Sequence, residues 1–291
     1  MRYDPAQFTR QEREAYNQVA EAWAANVAGN TALYSRRMLE GLAPRPGESL
    51  LDLACGAGHL ALDGATRFQC RAIGVDVSEG MLQQARRKGV SVDFLQGDAE
   101  HLPFAAETFD LAASGLGLMY FPDTARALAE IRRVLRPGGR AGFVVWTLPP
   151  RVPCLTLAMS AMAQITAPLA ARGLLRLPGI GDWLLFRAVE DTIPGKGPSP
   201  LRFGRPGKLA RILHRAGFRK VEVFDDTVVW RYSSFDDFWR SFAKSTPALT
   251  VPPREAVGRI RARLERLTLP YRDAFGELAF PMTALLVRAR R

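Results

Sequence analysis

Cysteine and histidine are scarce in this chain. Three of each occur in 291 residues. The cysteines (Cys55, Cys70, Cys154) are odd in number and none sits at metal-ligand spacing, which excludes a disulfide scaffold and leaves no metal site to propose. No apolar run reaches the length of a membrane span. The opening stretch M-R-Y-D-P-A-Q-F-T-R is charged and lacks the apolar core of a signal peptide, so a reduced, cytoplasmic setting is expected. Acids are also in short supply, with 29 Asp and Glu against 40 Lys and Arg, a net charge of +11. That excess admits an acidic partner, but the basic residues are dispersed through Arg36-Arg37, Arg86-Arg87-Lys88, Arg132-Arg133 and the C-terminal helix and tail. With no basic ribbon interleaved by aromatics, a nucleic-acid substrate is disfavoured. Hydrophobic content of 47% and charged content of 24% fit a globular chain of one domain with an elaboration.

What the chain does hold is a nucleotide-type turn. Leu50 to Leu60 reads L-L-D-L-A-C-G-A-G-H-L: an apolar strand with an acid near its end, a glycine-rich turn, and the start of a helix. Gly56 and Gly58 remove side chains where a ligand approaches, and the helix beyond them offers free N–H groups. Gly56 to Ala61 also satisfies G-x-G-x-x-A, the dinucleotide pattern, so this motif alone does not name its ligand.

The following blocks extend the pattern. A second strand, Arg71 to Val77, places Asp76 where an acid accepts hydrogen bonds from ribose hydroxyls. A third, Val92 to Leu95, runs into Gln96-Gly97-Asp98-Ala99-Glu100. A fourth, Phe109 to Ser114, opens into Gly115-Leu116-Gly117. A helix from Thr124 to Leu135 is stopped by Arg136-Pro137-Gly138-Gly139, and a fifth strand spans Arg140 to Thr147.

In this order and spacing the blocks L-D-L-A-C-G-A-G (51–58), G-V-D-V-S-E-G-M-L (74–82), G-D-A-E-H-L-P-F (97–104), F-D (109–110) and E-I-R-R-V-L-R-P-G-G-R (130–140) resemble the class I S-adenosylmethionine (SAM) methyltransferases. The nearest likeness is the subgroup that includes the ubiquinone and menaquinone biosynthesis C-methyltransferases. One position departs: the first glycine of the family turn is Ala54, an exchange expected to matter little. The resemblance implies an α/β fold, a Rossmann-like seven-stranded, mostly parallel sheet whose last strand is antiparallel, with helices on both faces and a helical cap insertion. It also implies SAM as cofactor, S-adenosylhomocysteine as product, and a small-molecule acceptor. By the same resemblance Asp52 and the turn Ala54, Cys55, Gly56, Gly58 face the methionine moiety. Asp76 holds the ribose, Val77 and Met81 flank the adenine, Asp98 and the Ala99 amide meet its edge, and Ser114 lies beside the reacting centre.

The organisation expected is a helical lid over 1–46, a SAM-binding core over 47–147, a helical cap over 148–207, and completion of the sheet with a short helical insertion over 208–291. Helices are expected over 10–28 and from Thr31 to about Glu40. Tyr16, Trp23 and Tyr34 on them are candidates to wall the site, with Tyr120 and Trp146 as further acceptor-binding residues. The apolar stretch Leu155 to Val189 (Leu157, Met159, Met162, Ile165, Leu174, Leu175, Trp183, Leu184, Phe186) reads as a cap that packs on the sheet or lines an acceptor pocket.

Methyl transfer from a sulfonium needs position more than proton chemistry. No general base is assigned: His59, His101 and His214 read as structural, and Cys154 as a plain apolar cysteine. Strand four lacks the Asn/Asp-Pro-Pro-Tyr turn of amino-group methylators, which disfavours bases and glutamine as acceptors. The expected activity is transfer to a carbon or oxygen of a largely apolar metabolite such as a quinone precursor or polyketide. Alternatives are a SAM-binding enzyme catalysing cyclisation, decarboxylation or a pericyclic step, and a non-catalytic relative. A nicotinamide oxidoreductase is a further one, although no Tyr-x-x-x-Lys pair follows Tyr120.

Overall fold

The computed structural model describes residues 4–166, 192–193, 197–205, 207–245 and 254–291. Its core is a seven-stranded sheet: β1 (Ser49–Leu53), β2 (Arg71–Asp76), β3 (Asp93–Gln96), β4 (Phe109–Gly115), β5 (Leu135–Trp146), β6 (Arg219–Tyr232) and β7 (Leu278–Arg290). The spatial order is β3-β2-β1-β4-β5-β7-β6. Strands β1 to β5 pair in parallel, and β7 runs antiparallel between β5 and β6. All five residues of β1 are buried, Asp52 among them, as a parallel strand covered on both faces requires. Strand order reverses between β1 and β4, so the crevice of this sheet opens beyond their carboxyl ends.

Eight of the helices matter for position: α1 (Pro5–Asn26), α2 (Ala28–Leu42), α3 (His59–Phe68), α4 (Glu79–Arg86), α5 (Thr124–Val134), α6 (Pro153–Thr166), α7 (Lys208–Arg215) and α8 (Phe235–Ser245). α1 begins earlier than its apolar stripe suggests, because Asp4 caps it by accepting from the Ala6 N–H at 2.9 Å and Pro5 suits the first turn. It ends at Val27, where the Val27 carbonyl accepts from both Asn30 and Thr31 and starts α2. β5 also begins earlier than expected, at Leu135. Leu135 pairs with Phe109 and Arg140 with Leu111, so Arg136-Pro137-Gly138-Gly139 form an irregularity within the strand. A bulge tolerates Pro137, which has no N–H to lose from the ladder.

Two interfaces set α1 across the crevice. On one side the Asn17 side-chain oxygen accepts from Ser78 Oγ (2.8 Å) and the Gly80 N–H (2.9 Å) at the start of α4. On the other, Ser245 Oγ donates to the Ala22 carbonyl at 3.0 Å, tying α1 to α8. The described helix of the expected cap, α6, packs on β7 of the sheet and on the helix Arg254–Thr268. Gly197–Pro198 forms a two-stranded ribbon with Thr192–Ile193. Ile165's side chain and Leu174, Leu175, Trp183, Leu184 and Phe186 lie outside the described residues. No described helix is long and apolar enough to cross a membrane.

Candidate functional site

The crevice is built on the turn after β1. Ala54, Gly56 and Gly58 all take left-handed backbone conformations (φ 50°, 53° and 77°). Glycine adopts these freely, whereas an L residue at Ala54 costs about 1–2 kcal/mol. Leu116, across the floor on the loop after β4, is also left-handed at φ 64°. Strained non-glycine backbone on two facing loops is a feature that clusters at working sites. The Ala54 methyl fits because residue 117 is glycine: a Cβ there would stand 2.5 Å from it. The alanine in the turn therefore has a structural consequence after all, a requirement placed on the opposite loop.

Asp76, at the end of β2, braces the turn. One carboxylate oxygen accepts from the Gly56 N–H at 2.8 Å and the other from the Ser78 N–H at 2.9 Å. Its burial raises the pKa, and the N–H donors of Ser78 and Gly56 act against that shift. Asp52, the acid of β1, is 1% exposed. One of its oxygens accepts from the Ala61 N–H at 3.0 Å in α3, while the other is buried without a hydrogen-bond partner. Burial pushes the Asp52 carboxyl up to about 8, with the Asp76 charge adding to the effect. An unpartnered buried carboxylate oxygen facing a cleft is suited to a cation brought by a ligand.

The crevice is open to solvent and spans about 1090 Å³ with its mouth included. Asp52, Ala54, Cys55, Gly56, Asp76, Val77, Met81, Asp98, Ala99, Tyr16, Trp23 and Tyr120 all line it. Trp23 and Met81 close over Gly56, where an added Cβ would meet the Met81 methyl at 3.3 Å and the Trp23 ring at 3.7 Å. Gly58 and Ser114 do not line it. Gly58 sits below, against Phe94 and Ala85, and Ser114 is fully buried under the loop that carries Gly117. Of the three histidines only His59 reaches the crevice, where burial, with Lys88 3.2 Å from Nε2, lowers its pKa.

Two expected acceptor residues are elsewhere. Tyr34 is fully buried, donates its hydroxyl to the Met282 carbonyl at 2.6 Å, and stands edge-on to Trp146. Trp146 in turn packs edge-on to Trp230. Helical phase explains this: Thr31, Ala32 and Ser35 are the residues of α2 that face the crevice, which turns Tyr34 and Met38 toward the sheet. Tyr34→Phe should lower stability by about 0.5–1.5 kcal/mol, by removing one buried hydrogen bond, without altering ligand affinity; denaturant melts and calorimetric titration separate the two effects. None of the described cap residues Leu157, Met159 and Met162 lines the crevice. Cys154 is buried and free, and burial pushes its thiol pKa up, as suits an inert apolar residue.

Sequence reasoning missed Glu12, which lines the crevice with Thr9. The signal available was an acid four residues before Tyr16, on the same helical stripe. With Asp52, Asp76 and Asp98 it makes four carboxylates, and no Lys or Arg is found among the described lining residues. A dinucleotide pyrophosphate sits poorly in such a field, and a cationic ligand sits well.

A family model described as "Methyltransferase domain" matches residues 51–143. Demethylmenaquinone methyltransferase of Beutenbergia cavernae is 34% identical over 197 residues, covering 66% of this chain and 75% of that protein. Nocamycin O-methyltransferase of Saccharothrix syringae is 31% identical over 204 residues, covering 66% and 67%. Among solved structures, the cyclase SpnF superposes with a TM-score of 0.58 at 21% identity, covering 97% of this chain and 96% of that one. The YcgJ protein of Bacillus subtilis superposes at 0.55 and 20% identity, covering 89% and 98%. The two superpositions bear on the fold.

Proposed function

The chain belongs to the class I SAM-dependent methyltransferases, and from that membership we propose that it methylates a carbon or oxygen of a neutral, largely apolar metabolite at the crevice above β1, β2 and β4. One observation carries the choice of site: the Asp76 carboxylate, the left-handed Gly56 turn and the unpartnered Asp52 oxygen converge on one cleft. SAM, when bound, supplies an electrophilic methyl on a sulfonium. In this reading Asp76 accepts from the ribose hydroxyls, Val77 and Met81 flank the adenine, and Asp98 with the Ala99 amide meets its edge. Asp52 and the turn from Ala54 to Gly56 face the cationic methionine end. Gly58 and Ser114 support these residues from below.

Tyr16, Trp23 and Tyr120 would wall the acceptor side, with α1 and α2 serving as the lid. The two relatives named for a menaquinone precursor and for nocamycin support an organic acceptor of modest size. The four acids of the crevice support an acceptor without phosphate or carboxylate at that depth. The three free cysteines suit a cytoplasmic site of action.

Calorimetric titration with SAM tests the site. A cation beside Asp52 favours its ionised form, so binding at pH 7 should release a proton and affinity should rise with pH until about 8, where the free enzyme's Asp52 ionises unaided. Measured heats should therefore differ between buffers of different ionisation enthalpy, and Asp52→Asn should remove most of that difference. Absence of binding by the unaltered chain would refute the proposed function.

A further inference from the structure

We propose that Glu12 is the general base of this methyl transfer, and that the acceptor presents a weakly acidic O–H or enolisable C–H to it. The inference rests on the function proposed above. Thr9, Glu12, Tyr16 and Trp23 form one stripe of α1, and all four line the crevice. Trp23 fixes one end of the stripe over Gly56. Tyr16 meets the loop after β4, where the Tyr120 ring stands edge-on at 6.3 Å. Glu12 is one helical turn beyond Tyr16 and lines the crevice on the side where the Tyr16 and Tyr120 phenols stand.

The groups that face Glu12 are the Tyr16 and Tyr120 phenols, and no Lys or Arg lines the crevice beside it among the described residues. Burial pushes Glu12 up to about 7. A carboxylate at that value is half ionised near neutrality, the condition under which a general base is most effective. Tyr16 and Tyr120 cannot compete for the proton. Burial raises both, Tyr120 to about 12.

In the step, the acceptor's proton passes to a Glu12 carboxylate oxygen. The electron pair left behind forms the bond to the methyl carbon. The C–S bonding pair stays on sulfur, which leaves as a neutral thioether. One negative and one positive charge are consumed together, a change that a crevice of low dielectric favours.

The experiment uses the full chain with SAM and two neutral probes, menadiol (a 1,4-naphthoquinol) and 2-naphthol, following S-adenosylhomocysteine release against pH. The unaltered protein should turn over at least one probe, with a rate that rises through an acidic limb centred near 7. Glu12→Gln should lose that limb and about 100-fold or more of the rate, the usual worth of a positioned base. Its SAM affinity should fall far less than its rate, since only one of the four crevice carboxylates is neutralised. Glu12→Asp should keep the limb at reduced rate. A protonated-carboxyl infrared band that fades as pH passes about 7 and is missing in Glu12→Gln would identify the titrating group without turnover. An unaltered rate and limb in Glu12→Gln overturns the inference. Turnover of neither probe while SAM binds overturns the acceptor class, and failure to bind SAM removes the proposed function and this inference with it.

Discussion

Asp76→Ala should weaken SAM binding about 100-fold or more, about 3 kcal/mol. The size follows from what the carboxylate does twice over. It already accepts from the Gly56 and Ser78 N–H groups at 2.8 and 2.9 Å, so its removal leaves two buried donors unsatisfied and frees the turn that approaches the ligand. It also removes the acceptor proposed for the ribose hydroxyls, and hydrogen bonds to charged groups contribute about 1.5–3 kcal/mol each. Asp76→Asn keeps one acceptor oxygen and should fall between. Calorimetric titration decides the matter: affinity within about twofold of the unaltered protein would mean that Asp76 only supports the turn.

The largest effect on stability is expected at Gly58, through Gly58→Ala. The residue has φ 77°, and a Cβ added there would lie 2.7 Å from the Phe94 ring and 2.8 Å from the Ala85 Cβ. The left-handed conformation costs alanine about 1–2 kcal/mol, and forcing a methyl into a filled core costs about 1–3 more. The sum, about 2–5 kcal/mol, corresponds to a fall in Tm of about 10 °C for a chain of this size. Calorimetric melting measures it, and a Tm within about 2 °C would show that the turn relaxes in a way the packing around Phe94 does not suggest. Because Gly58 does not line the crevice, weakened SAM binding by the folded variant would report turn geometry, not a lost contact.

The sheet was legible because its signals are local and mutually consistent. β1 is a leucine-rich run interrupted only by Asp52 and closed by Gly56 and Gly58, the pattern expected of a strand buried on both faces. The acids at strand ends, Asp76 and Asp98, follow from the same geometry, since the carboxyl edge of a parallel sheet is where its ligands sit. Tyr34 and Trp146 were misplaced for a physical reason. An aromatic residue near a site serves core or wall equally well, and only helical phase and strand register, which tertiary packing sets, decide between them. Glu12 was overlooked because a glutamate on an amphipathic helix is ordinarily solvated. Its half-buried place beside the Tyr16 and Tyr120 phenols depends on a loop over one hundred positions further along. Ala54 was judged harmless on size alone, and its backbone angle depends on a turn geometry that composition does not reveal.

The meeting of the Ala54 methyl with Gly117 couples two distant codons. While alanine occupies 54, any side chain at 117 must displace a neighbour in the crevice floor. With glycine at 54 the closest of those obstacles disappears, and Ser114 Oγ, 2.7 Å from a Cβ at 117, is the one that remains. The order of the two exchanges then matters: glycine at 54 before a side chain at 117 meets one clash fewer than the reverse order. Such epistasis would keep this lineage on glycine at 117 for as long as it retains its alanine.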